Sequence, residues 1–203
     1  MKKIITLIIL FTSIKSFSQD DPKIAFQKRK YDLAVSYYKK DDLKNALDLF
    51  SIASRIKPEN QIGKDAAKLV GSIKSDLRKL MMEHAVGTWE IFGDKPLWAV
   101  STHNKDDNHK ELLEISETKI SHYEVNKVTN EKKLVKSEDL VFYSEVESDG
   151  LYSQVILANG EIWNCSFNEN WTEMHTICVG KKENGKVEKI TTNNEELFFV
   201  KVK

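Results

Sequence analysis

Near residue 85 the spacing of apolar residues changes from three-and-four to two, and no single kind of element satisfies both periods. This switch constrains the fold more than any other feature of the chain. From Phe26 to His84 the period is helical, with Pro58 the one proline in the stretch. It predicts a helix over 25–39, a turn and N-cap at Asp41-Asp42, and a second helix over Leu43–Ile56 stopped by Lys57-Pro58-Glu59-Asn60. A third, over 65–84, carries Ala66, Leu69, Val70, Ile73, Leu77 and Leu80 on one stripe.

From Val86 onward the period is that of strands, with turn signals at short intervals. Strands are expected at 88–92, 97–102, 111–115, 119–126, 139–147, 151–157, 161–167, 171–179, 186–191 and 196–202. Asn159-Gly160 and Asn184-Gly185 suit the positive φ of tight hairpin turns. Trp163, Cys165 and Phe167 on one strand, and Trp171, His175, Ile177 and Val179 on the next, are expected to share a packed face. No helix-period segment intervenes, so neighbouring strands should pair antiparallel. The fold class is α+β: three N-terminal helices over 22–84, then an antiparallel up-and-down β-barrel or strongly curled sheet over 86–203.

Residues 1–18 form a separate segment. A basic Met1-Lys2-Lys3 precedes the apolar Ile4–Phe11 and the polar Thr12–Ser18, with Ser16 and Ser18 placed for cleavage before Gln19. The apolar run is too short to span a bilayer. This is a signal peptide, and with the lysine-rich composition it reads as bacterial export to the periplasm or medium. Cleavage leaves 28 basic groups against 31 acidic ones, interleaved rather than blocked. No clustered positive face is available for nucleic acid.

Six helical residues carry a resemblance. Ala34, Tyr37, Ala46, Phe50, Ala53 and Pro58 fall at the small, aromatic and closing-proline positions of one 34-residue period, and this stretch resembles a single tetratricopeptide repeat. Lys30 stands where that family usually has an aromatic residue, with Tyr31 beside it. One period later, Gly71 and Leu80 depart from the pattern, so the third helix reads as a cap. The resemblance implies a protein-docking module. A hairpin that only packs on the β-domain or self-associates is the alternative.

Gly87-Thr88-Trp89, at the head of the strands, resembles the Gly-x-Trp opening of lipocalin-like barrels. That resemblance implies that Trp89 plugs one end of the barrel beneath a ligand cavity. The family sets a late arginine over this tryptophan, whereas the last strand here offers only Lys201 and Lys203. Trp98, Tyr123, Phe142, Tyr152, Trp163 and Trp171 are the candidates to line a cavity for an apolar small molecule, or to fill a dry core.

Signals for chemistry are sparse. Cys165 and Cys178 could form a disulfide after export or remain free thiols on neighbouring strands. "HNKDDNH" brings His103 and His109 within seven residues, which is either a divalent-metal loop or a solvated turn. There is no G-x-S-x-G elbow, no cysteine–histidine relation and no Gly-rich phosphate loop. "NCS" and "NWT" fit the glycosylation acceptor pattern, but in a bacterial protein they are read as chance. No cofactor is implied. The expected function is that of an exported, non-catalytic binding or interaction protein. A structural protein with a filled barrel, or a metal-dependent enzyme using His103 and His109, are the alternatives.

Overall fold

The computed structural model describes residues 21–94 and 108–202. The expected leader over 1–18, the expected strand over 97–102 with Trp98, and His103 of the histidine loop lie outside them. The chain forms two compact units, one ending at Gly71 and the other beginning at Ser72. The period changes where α3 meets β1, but the units divide inside α3.

The first unit is built on α1 (Pro22–Tyr38) and α2 (Leu43–Ile56), followed by the start of α3 (Gln61–Ala85). Asp21 opens α1, its carboxylate accepting from the Lys23 N–H at 2.9 Å, with Pro22 in the first turn where no intrahelical donor is needed. Asp42 caps α2 in the same way through Asn45. Ala34, Ala46, Phe50 and Ala53 are fully buried, so the small residues do lie where the helices touch. The aromatic partner of Phe50 is Tyr31, edge-on at 5.3 Å. Tyr37 is only half-buried and Pro58 is exposed.

Gln27 is a buried polar residue that the apolar pattern did not reveal. Its amide donates to the carbonyls of Ala53 and Lys57 at 2.8 and 3.1 Å, satisfying the end of α2, and accepts from Asn60 at 2.6 Å. Asn60 in turn accepts from the Gly63 N–H. A Cβ at Gly63 would lie 2.2 Å from the Lys57 carbonyl oxygen, so this tight entry to α3 requires glycine. Along α3 the buried stripe runs through Ala66, Val70, Ile73, Leu77, Met81 and Ala85. Leu80, expected on that stripe, is 41% exposed.

The second unit is a ten-stranded antiparallel sheet with the C-terminal half of α3. The strands are β1 (Gly87–Gly93), β2 (His109–Ile115), β3 (Lys119–Asn126), β4 (Lys132–Asp139), β5 (Val141–Phe142), β6 (Gln154–Ile156), β7 (Glu161–Phe167), β8 (Glu173–Glu183), β9 (Lys186–Lys189) and β10 (Glu196–Lys201). Their order is β4-β3-β2-β1-β10-β8-β7-β6-β5, with β9 on β8 beyond β10. First and last strands therefore pair in the middle, and the two edges are β4 and β5. These edges follow one another in sequence with Leu140 alone between them, so the sheet must curl until its edges approach. It does not close: among the described residues β4 pairs only with β3. Glu138 on β4 reaches across the seam and accepts from the Ala158 N–H of the β6–β7 turn at 2.7 Å.

Three expectations for the strands are corrected. β4 was not foreseen; six of its eight residues are charged or hydroxylic and nearly all are exposed, as on a protected edge strand. The strand expected over 139–147 is only the two residues of β5. β8 begins at Glu173, not Trp171, and its buried residues are Met174, Thr176, Cys178 and Gly180. A shift of one residue moves a whole set to the other face. His175 accordingly lies on the opposite face from these, stacked on Phe198 at 4.2 Å.

Candidate functional site: a cavity within the sheet unit

Alternate residues of successive strands face a cavity of about 260 Å³. β7 contributes Glu161, Trp163, Cys165 and Phe167, and β8 contributes Met174 and Thr176. Met81, Met82 and Ala85 of α3 complete the wall. Flexible thioethers suit such a surface because they adapt to whatever shape is enclosed. An engineered apolar cavity of about 150 Å³ takes benzene, and drug-sized pockets begin near 300 Å³, so the space fits a small molecule.

Trp89 is fully buried but does not line the cavity. It packs with Leu113, Ile115, Ile120, Met174 and Phe199, which do, so the indole stands behind that wall. Its Nε1 donates to the Ala85 carbonyl at 2.7 Å, satisfying an acceptor at the end of α3. Lys201 Nζ lies over the Trp89 ring, 5.3 Å from its centre, and donates to the His84 carbonyl. A cation thus occupies the place over the tryptophan, and it also meets the negative end of a helix. Gly87 makes this path available: its φ is +137°, and a Cβ there would lie 3.2 Å from Lys201 Cε.

Of the aromatic residues proposed from the sequence, Trp163 lines the cavity. Tyr123, Phe142, Tyr152 and Trp171 lie outside its lining, each with another partner. Lys132 sits 3.8 Å above Tyr123, and Arg78 sits 4.7 Å above Phe142. The Tyr152 carbonyl accepts from Arg78 Nε at 3.1 Å. Trp171, in a turn with φ of +57°, stacks on His84 at 4.3 Å. The sequence pattern missed Met81 and Met82, because it placed Leu80 rather than Met81 on the buried stripe of α3, and Thr176, because of the misplaced phase of β8.

Cys165 and Cys178 are free thiols. Cys165 faces Thr176 across the ladder and Cys178 faces Trp163, a diagonal relation rather than a direct one. Diagonal neighbours stand roughly 7–8 Å apart, beyond disulfide reach. Desolvation pushes the Cys165 thiol up to about 12 and also raises that of Cys178, so neither is poised as a nucleophile.

The polar residues cluster at the open seam. His122, Lys136, Asn159 and Glu161 line the cavity there, and Lys136 and Asn159 are exposed at its mouth. His122 is directly opposite Lys136 across the β3–β4 ladder and has no hydrogen-bond partner among the described residues. Burial, reinforced by Lys136, holds its pKa below the ordinary histidine value, so the imidazole is neutral at neutral pH. Lys136 Nζ lies 2.5 Å from Glu138 Oε1 as an ion pair. Desolvation raises the Glu138 carboxyl, but the Lys136 and Ala158 donors outweigh it and leave the pKa below normal.

His109, the described histidine of the HNKDDNH segment, begins β2 on the surface. Among the described residues no group of three or more His, Cys, Asp or Glu side chains could hold a metal ion. No described helix is long and apolar enough to cross a membrane. Compared with protein-family models, with the curated proteins and with the solved structures, the chain finds no match in any of the three.

Proposed function

We propose that this is an exported, non-catalytic binding protein of the bacterial envelope, whose lipocalin-like sheet unit holds a small apolar molecule. The observation that carries the reading is the cavity of about 260 Å³, walled by inward-facing side chains at strand period and the two methionines of α3. Export is supported by the leader sequence of residues 1–18. Catalysis is disfavoured by the raised thiols, and among the described residues no nucleophile–base hydrogen bond is found at the cavity. The test is titration of the purified chain with phenylnaphthylamine, a neutral apolar fluorophore. Saturable enhancement that is lost when Thr176 or Cys165 is enlarged supports the reading; no enhancement refutes it.

A second reading concerns the tetratricopeptide-like hairpin. α1 leaves Ile24, Phe26, Leu33 and Tyr38 between 41% and 45% exposed, more apolar surface than an isolated solvated helix needs. This supports contact with a protein partner or with a second copy of the chain. Light scattering over a concentration series separates the two: a rising mass indicates self-association, and a constant monomer mass removes it.

A further inference from the structure

We infer that the molecule held in this cavity carries a non-acidic, hydrogen-bond-donating head, an alcohol or an amine, seated at the seam against His122, Asn159 and Glu161. The inference rests on the binding reading above and names the class of ligand.

The inner-facing residues of β7 run from polar to apolar, Glu161 at the seam and Phe167 at the far end beside Trp89. Six residues of strand span about 20 Å, so the polar and apolar ends of the wall are well separated. An amphiphile therefore has one favoured orientation, with its hydrocarbon toward Phe167 and Met174 and its head at the seam. The seam is also the place where the sheet lacks pairing between its edges, and where the lining residues Lys136 and Asn159 are exposed.

Glu161 and His122 bring free acceptors to that mouth, while the Asn159 side-chain oxygen already accepts from the Glu161 N–H at 3.0 Å. Glu161 uses Oε2 to accept from Trp163 Nε1 at 3.2 Å and has Oε1 left over. The neutral His122 ring supplies an acceptor nitrogen, and burial keeps it in that form. Among the described lining residues the one ammonium, on Lys136, is already engaged with Glu138, whose side chain is 4% exposed. A carboxylate head would approach two carboxylates with no uncommitted cation to receive it. A hydroxyl or ammonium would instead find unfilled acceptors, and unmet polar groups in such a site discriminate strongly.

The experiment compares octanol, octylamine and octanoate, equal in chain length, as competitors of phenylnaphthylamine on the purified chain at neutral pH. Octanol and octylamine are expected to displace it about tenfold more tightly than octanoate, equivalent to ~1.4 kcal/mol. Glu161→Gln should shrink the octylamine-to-octanoate ratio, and His122→Phe should weaken octanol, each with an unfolding curve run alongside to show that the variant folds. Octanoate binding as tightly as the other two, or ratios unmoved in both variants, overturns the head-group inference while the cavity stands. Failure of the fluorophore and all three competitors to bind overturns the inference and the binding reading together.

Discussion

Gly87 has a backbone and a steric reason to be glycine, and both concern the same contact. Its φ of +137° disfavours side chains, and the space a Cβ would need is taken by the stem of Lys201. Gly87→Ala is expected to destabilise the protein by about 1–3 kcal/mol, measured by urea unfolding followed through tryptophan fluorescence. The Gly-x-Trp signal was legible in the sequence, but the use of Lys201 was not, because composition cannot show that an ammonium will also reach a helix carbonyl. The cysteines make a second residue-scale case. With both thiols raised by desolvation, an aromatic disulfide reagent at mildly alkaline pH should titrate neither in the folded chain and two per chain in denaturant. Glu138 gives the third. Its folded-state pKa lies below the ordinary 4.5, so its stabilising contribution is present above that pH and is lost as pH falls through the depressed value. Urea midpoints should therefore fall on acidification below about 4.5, and Glu138→Gln, which keeps an acceptor for Ala158, should flatten that part of the profile.

At the scale of elements, the C-terminal half of α3 is held to the 143–152 segment by two cations. Lys74, 5% exposed, donates to Ser144, to the Glu147 carbonyl and to Asp149, the last at 2.6 Å. Arg78 donates to the carbonyls of Tyr143 and Tyr152 and to Ser144. These bonds replace the strand pairing that the sequence led one to expect over 143–147. Lys74→Met leaves the 13%-exposed Asp149 carboxylate without its partner and should cost about 3 kcal/mol. Adding Asp149→Asn should recover part of that loss, and a cycle in which the two changes simply add would show the pair uncoupled. Elements with a clean period were legible to the residue: Leu43–Ile56, Lys119–Asn126 and Glu161–Phe167 form as expected. β4 was not, because a lysine-rich edge strand buries only Glu138 and so has no apolar alternation to read. The phase of β8 failed for a different reason: Trp171 looks like a strand residue yet occupies a left-handed turn stacked on His84.

For the sheet unit as a whole, the decisive property is that it curls without closing. Among the described strands, pairing β1 with β10 places the two ends of the main strand order at β4 and β5, and chain continuity through Leu140 keeps those edges together at one corner. A void of about 260 Å³ persists between the C-terminal half of α3 and the inner faces of the strands. Whether a cavity or a filled core would result was not legible, since the same apolar alternation builds either. Cys165→Leu distinguishes them by stability. In a well-packed core the added carbons force strain of about 1–3 kcal/mol. Facing a cavity of about 260 Å³, they should instead bury freely, leaving stability unchanged or raised by about 1 kcal/mol, while the fluorophore is excluded. Thermal unfolding and phenylnaphthylamine titration of the same variant read both arms. A stable variant that has lost binding places the ligand in this space, and a destabilised one shows the interior already full.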